Sequence, residues 1–212
     1  MRCTDGRHAG PVTGRNAGPS YVLSTRSRMA ATRSSKTSTT RRCVMLLGVD
    51  GSPDAPTPRR AGPQDAAAVA ATWLRSRHAS VPAIPHPVHT DDEVTEWFAT
   101  VVLPERETWV IDCDGAVVAL LVLEPGWIDQ LYVDPDCTGR GLGSRLLAVA
   151  KAASPGGLDL WAFRSNAGAR RFYERHGFVA VATTDGDNEE EAPDVRYRWP
   201  GHADLDGPRR RS

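Results

Sequence analysis

Residues 131–147, Leu131-Tyr132-Val133-Asp134-Pro135-Asp136-Cys137-Thr138-Gly139-Arg140-Gly141-Leu142-Gly143-Ser144-Arg145-Leu146-Leu147, constrain the fold of this chain more than any other stretch. An apolar strand end runs into a loop with glycine at 139, 141 and 143 and then into a helix with periodic apolar residues. Without a Cβ, the backbone of such a loop can lie close to a ligand. The amides that open a helix have no intrahelical acceptor and carry the positive end of the helix dipole, which favours an anion such as a diphosphate. The plain alternative is a β-to-α connection that binds nothing. Spacing excludes two other phosphate loops. A Walker loop needs Gly-Lys-Ser/Thr after four spacer residues, and a dinucleotide fingerprint needs Gly-x-Gly-x-x-Gly with an acid about 20 residues on; neither is present.

A chain of 212 residues can bury one substantial core. Its formal charge is zero, yet residues 1–43 hold 9 Lys/Arg against one acid, Asp5, which leaves 17 basic and 25 acidic residues for the rest. A basic arm on an acidic body argues against nucleic-acid binding by the folded part. Residues 1–56 are rich in Arg, Ser, Thr, Gly and Pro and have little apolar periodicity, so they read as a disordered basic segment. A transit sequence, or a true start at Met29 or Met45, would explain the same composition. The folded domain is expected over 57–200, with a frayed tail over 201–212. Cys3, Cys43, Cys113 and Cys137 show no Cys-x-x-Cys spacing and read as free thiols. No apolar run approaches the roughly 20 residues that span a bilayer. A cytoplasmic protein with no membrane or nucleic-acid partner is expected, and a homodimer is allowed.

The pattern of the body gives an element order. Ala66, Val69 or Ala70, Trp73 and Arg77 recur at helical spacing and predict a helix from Gln64 to about Ala79. Pro82, Pro85 and Pro87 forbid helix after it. Thr90 and Glu93 form a capping box that starts a second helix, Asp91 to about Val102. Strands are predicted over 108–112, 116–124 and 127–133, the first two split by the Asp114-Gly115 turn. A helix over 141–153 with an apolar stripe of Leu142, Leu146, Val149, Ala150 and Ala153 follows, then a strand over 158–163 and a helix over 167–176. Strands over 178–183 and 195–199 close the chain, the last alternating Val195, Tyr197 and Trp199 with Arg196 and Arg198. The order is ααβββαβαββ, an α/β (α+β) arrangement around one mixed sheet.

The loop Thr138-Gly139-Arg140-Gly141-Leu142-Gly143, preceded by Leu-Tyr-Val-Asp-Pro, resembles the Gln/Arg-x-x-Gly-x-Gly/Ala pattern of the GCN5-related N-acetyltransferase (GNAT) family, with Thr138 in place of Gln or Arg. Asn166-Ala167-Gly168-Ala169-Arg170-Arg171-Phe172-Tyr173-Glu174-Arg175-His176-Gly177-Phe178 resembles its second signature, Asn-x-x-Ala-x-x-Phe-Tyr-x-x-x-Gly-Phe. The resemblance covers about residues 57–200. It implies a sheet of six to seven strands flanked by helices, and transfer of an acetyl group from acetyl-CoA, as cosubstrate, to a primary amine of a small molecule or peptide, without a metal. A coenzyme A binding module that regulates and does not catalyse is the alternative.

The resemblance also implies roles for single residues. Main-chain groups at Leu131, Tyr132 and Val133, where the ladder breaks, would meet the pantetheine arm, and Thr138, Gly139, Arg140, Gly141, Leu142, Gly143 and Ser144 would cradle the diphosphate. Tyr173 would protonate the departing thiolate; core packing beside Phe172 is its plain reading. Asn166 would touch the pantetheine or only cap its helix. Arg140 and Arg145 are phosphate contacts or solvated charges. Glu124, Asp129 and His89 are candidates for the general base. His89, Trp97 and the Val81–His89 loop would shape the acceptor site. The run Asp185-Gly186-Asp187-Asn188-Glu189-Glu190-Glu191 would attract a cation or simply be solvated. His86 and His89 with Pro87 between them do not make a metal pair, and Cys137 reads as a bystander.

Overall fold

The computed structural model describes residues 56–201. Apart from Pro56 and Gly201, the expectations for residues 1–56 and 201–212, and those for Cys3 and Cys43, lie outside the described residues. The elements are β1 (Arg59–Arg60), α1 (Ala66–Ala79), α2 (Asp91–Trp97), α3 (Leu103–Glu105), β2 (Glu107–Cys113), β3 (Ala116–Glu124), β4 (Trp127–Val133), α4 (Leu142–Ala153), β5 (Leu158–Phe163), α5 (Ala167–Arg175), β6 (Val179–Thr184) and β7 (Asp194–Trp199). The predicted order holds, with ends moved by a residue or two. Two features were not foreseen. The two-residue β1 pairs antiparallel with β2, Arg59 opposite Val110, and is too short to leave a period in the sequence.

The second helix runs on as a π-turn over Phe98–Val102 into α3, so helical winding reaches Glu105. Pro104 explains the widening. It has no N–H to give the preceding turn, and the Leu103 amide bonds instead to the Phe98 carbonyl. At the other end the expected capping box is present: Thr90 N donates to Glu93 Oε2 at 2.8 Å, and Glu93 N donates to Thr90 Oγ1 at 3.3 Å.

Seven strands make one sheet in the order β1-β2-β3-β4-β5-β7-β6, antiparallel except where β4 meets β5. β3, with seven consecutive buried residues, lies inside the sheet between β2 and β4, which is why it reads as one apolar run. Alternate β3 side chains feed two cores. Val117, Leu120 and Val122 pack with Val69, Ala70, Val94, Phe98 and Val102 of the first helices. Ala119, Leu121 and Leu123 pack with Leu142, Leu146, Leu147 and Ala150 of α4 and with Tyr173 and Phe178. Leu147 takes the buried place that the sequence stripe gave to Ala153, which is exposed. Thr72 Oγ1 donates to the Val117 carbonyl at 2.8 Å and fixes α1 on β3. No described helix is long and apolar enough to cross a membrane.

Candidate active site

Two local irregularities open the sheet. β4 carries an extra residue, Asp129, where the β3 register shifts from Val122 opposite Gln130 to Leu123 opposite Ile128. The register between β4 and β5 is a single pair, Trp127 opposite Asp159. Beyond it the strands part, and a cleft of about 1400 Å³ lies between them. The Asp134 amide bonds to the Val118 carbonyl on β3. By the alternation of an antiparallel ladder, the main-chain groups of Leu131 and Val133 turn the other way, toward the cleft. The Val133 carbonyl accepts there from Ser76 Oγ at 3.2 Å.

At one end of the cleft stands the start of α4. Its N-cap, Gly141, has φ +76°, a conformation that costs other L-residues. The first intrahelical bond runs from Arg145 N to Gly141 O at 3.0 Å, so the amides of Leu142, Gly143 and Ser144 have no helical acceptor. A Cβ on Gly143 would meet the Phe172 ring at 3.3 Å, so glycine here lets α4 lie close against α5. Thr138, Gly139, Gly141, Leu142, Gly143 and Ser144 all line the cleft. Arg140 does not: its side chain is exposed and off the cleft wall. Arg145 also faces elsewhere, donating to the Pro56 carbonyl at 3.2 Å. The Thr138 hydroxyl is spent on its own turn, donating to Pro135 O at 3.1 Å.

Tyr173 and Asn166 reach the cleft from α5. Asn166 caps that helix, its Oδ1 accepting from Ala169 N at 3.0 Å. The Tyr173 ring packs edge-on against Phe172 and Phe178 at centroid distances of 5.3 and 5.6 Å. Among the described residues its hydroxyl makes no hydrogen bond. Burial pushes that phenol well above its ordinary range, with the nearby Tyr132 phenol adding to it, so it stays protonated at neutral pH.

The opposite end is built from side chains. Arg106 reaches Asp129 at 2.5 Å and Glu124 at 3.1 Å, and lies over the Trp97 ring. The sequence offered Glu124 and Asp129 as separate candidates; the fold joins them through an arginine that the sequence did not single out. Burial pushes the Asp129 carboxyl up to about 7, against a hydrogen bond with the Gln130 side chain that lowers it. Arg77, 2% exposed, lies against the Trp73 and Phe163 rings and pairs with Glu190 at 2.6 Å. Its signal in the sequence was a charge on the buried stripe of α1. His89 pairs with Glu189 at 3.2 Å. The acidic turn therefore forms part of the wall, with Asp187, Glu189 and Glu190 on the cleft, and the purely solvated reading does not hold. His86 is exposed and off the cleft. Cys137 is buried and free of any disulfide. Among the described residues no group of three or more His, Cys, Asp or Glu could hold a metal.

The family model described as an acetyltransferase (GNAT) domain matches residues 104–180. The peptidyl-lysine N-acetyltransferase YjaB of Salmonella typhimurium is 28% identical over 131 residues, 61% of this chain and 88% of that one. Among solved structures, apo YjaB from Escherichia coli superposes with a TM-score of 0.58 at 24% identity, covering 70% of this chain and 99% of its own. The acetyltransferase yncA from Salmonella typhimurium, solved with acetyl-CoA, superposes with a TM-score of 0.53 at 19% identity, covering 68% and 93%. These two likenesses establish the shared fold.

Proposed function

We propose that this chain is a GNAT acetyltransferase and that it transfers the acetyl group of acetyl-CoA to a primary amine of a small molecule or peptide, by direct attack within a ternary complex. The observation that carries the reading is the convergence, on one cleft, of three open helix amides, the parted edge of β4 and the buried hydroxyl of Tyr173. What supports the cosubstrate is the donor set, the amides of Leu142, Gly143 and Ser144 left without a helical acceptor at the start of α4. Acetyl-CoA supplies an activated thioester. Thr138 to Ser144 would hold its diphosphate, with main-chain amides as the donors. Leu131 and Val133 would bond the pantetheine arm as a further strand would, and one well-aimed amide there is worth about 3 kcal/mol in the transition state.

The amine nitrogen bonds to the thioester carbon, and the carbon–sulfur bond breaks. The amine proton passes through water to Asp129, whose burial suits it to accept protons near neutrality. Tyr173, kept protonated by its surroundings, gives its proton to the departing sulfur. Glu124 and Arg106 hold Asp129 in place. Trp97, His89 and the carboxylates of the acidic turn favour a cationic acceptor. YjaB is named as acting on peptidyl-lysine, and a lysine side chain satisfies these requirements; so does a small amine.

The test uses the full chain with acetyl-CoA and a panel of lysine peptides, diamines and amino sugars, read by release of free thiol and by the mass of the acetylated product. Turnover with at least one amine is expected. Binding of acetyl-CoA with no turnover of any amine would favour the regulatory module instead.

A further inference from the structure

Beside the glycine loop stands a pair that the reaction above leaves unused. Ser144, in the first turn of α4, places Oγ 2.9 Å from His176 Nε2, and His176 Nδ1 lies 2.8 Å from the Phe172 carbonyl. Both residues line the cleft, and the Ser144 amide is one of the three open donors. These contacts fix where the protons are. A carbonyl only accepts, so Nδ1 carries the imidazole proton in the neutral ring, and Nε2 has a lone pair. The Ser144 hydroxyl must then donate to Nε2, which leaves its own lone pairs facing the cleft. That is the wrong polarity for a diphosphate.

Protonation of the ring reverses the chain of donors. Nε2–H then donates to Oγ, and the hydroxyl proton is free to point at a phosphate oxygen next to the Ser144 amide. We propose that His176 is a positioning residue for the diphosphate, which takes up a proton when the cosubstrate binds and turns the Ser144 hydroxyl from acceptor to donor. The proposal rests on the reading of the cleft given above.

The surroundings are consistent with an external anion as the counter-charge. From α4 the histidine meets Ser144 and Lys151, whose ammonium donates to the His176 carbonyl at 2.6 Å. On its own helix Arg175 precedes it, and Tyr173 faces the core. β4 turns Val133 toward Gly143 and adds no ionisable group there. Among the described residues no carboxylate lies within 4.0 Å of the ring to form an ion pair with it. The ring also stacks on Phe172, 4.4 Å between centroids, which fixes its orientation toward α4.

The experiment is calorimetry of acetyl-CoA binding to the full chain in buffers of different ionisation enthalpy, which counts protons, repeated with Ser144→Ala, Ser144→Thr and His176→Gln. The 3′-phosphate of the ligand contributes equally to every variant and cancels in the differences. Relative to His176→Gln, the wild type is expected to take up close to one further proton above neutrality. Its affinity is then expected to fall by up to about tenfold per pH unit where that uptake occurs. Ser144→Thr keeps the uptake; Ser144→Ala loses it while still binding through the amides. Equal proton counts in wild type and His176→Gln overturn the proposal and leave the cleft assignment standing. Absence of any acetyl-CoA binding by the wild type overturns both. Thermal melting of each variant confirms that it is folded.

Discussion

Replacing Arg106 with Met tests whether the acceptor end is held together as described, because it removes a charge while keeping the aliphatic stem over Trp97. The Asp129 side chain is 6% exposed and would be left without its 2.5 Å partner. Burial sets its carboxyl at about 7, against 3.8 for the free side chain. The sign follows from linkage. A carboxyl whose folded value is raised destabilises the fold when it must ionise, so the penalty is small near pH 4, grows as pH rises, and levels off above pH 7. At 1.36 kcal/mol per unit, the wild-type penalty is about 4 kcal/mol at pH 8 and about 2 kcal/mol at pH 5. That value already holds with Arg106 in place; without the guanidinium the carboxyl is pushed further up, and the variant adds its loss above pH 7, where the wild-type carboxyl ionises. For a domain of roughly 150 residues, each further 1 kcal/mol lowers the melting temperature by about 2–4 °C. Thermal and urea unfolding of both proteins at intervals from pH 5 to pH 8 would read this directly. A difference between them that stays constant with pH would refute the reasoning, since a loss of packing alone does not titrate.

Tyr173→Phe keeps every ring contact and removes a hydroxyl that has no hydrogen-bond partner among the described residues, so the melting temperature should hold while kcat falls by about 10²–10⁴-fold; an activity within threefold of wild type would exclude the acid role. Asp129→Asn should lower kcat/KM by about 10²-fold or more and flatten the acid limb of its pH profile near neutrality, as measured by thiol release from pH 5.5 to 8.5. Gly141→Ala forces a side chain into φ +76° at the N-cap of α4. It should cost about 1–2 kcal/mol of stability by urea titration and reduce the thermal shift given by acetyl-CoA.

The two ends of the cleft differed in how far the sequence revealed them, and the reason is physical. The cofactor end is main chain. Glycines at 139, 141 and 143, the helix start at Leu142 and the strand end at Val133 are neighbours in sequence, and the proposed donors are amides that every residue here carries. Local pattern reaches that far, whereas the side chain of Arg140, between two of those glycines, is exposed and not part of the cleft lining. Strand limits were also readable, because β3 is buried on both faces and β7 on alternate residues. The acceptor end is made of side-chain pairs joined across the fold: Arg106 with Asp129, Arg77 with Glu190, His89 with Glu189. Their separations, 23, 113 and 100 residues, leave no period to detect, and Glu190 sits in a turn whose composition fits a solvated loop equally well.

The same division bears on what each end can recognise. Main-chain donors can hold a diphosphate whatever side chains surround them, and it was the resemblance of the two motifs at 138–143 and 166–178 to a known family that pointed to acetyl-CoA. Selection among amines depends on which charges remain unmatched once the pairs have formed. Glu124 and Asp129 share one arginine, and Glu189 faces the His89 ring. With Asp187 also on the wall, the acceptor end keeps an excess of carboxylates. A cationic acceptor should therefore have a lower KM than a neutral one of the same size. In the double variant Asp187→Asn, Glu189→Gln that advantage should shrink, and its persistence in full would place the discriminating charge elsewhere.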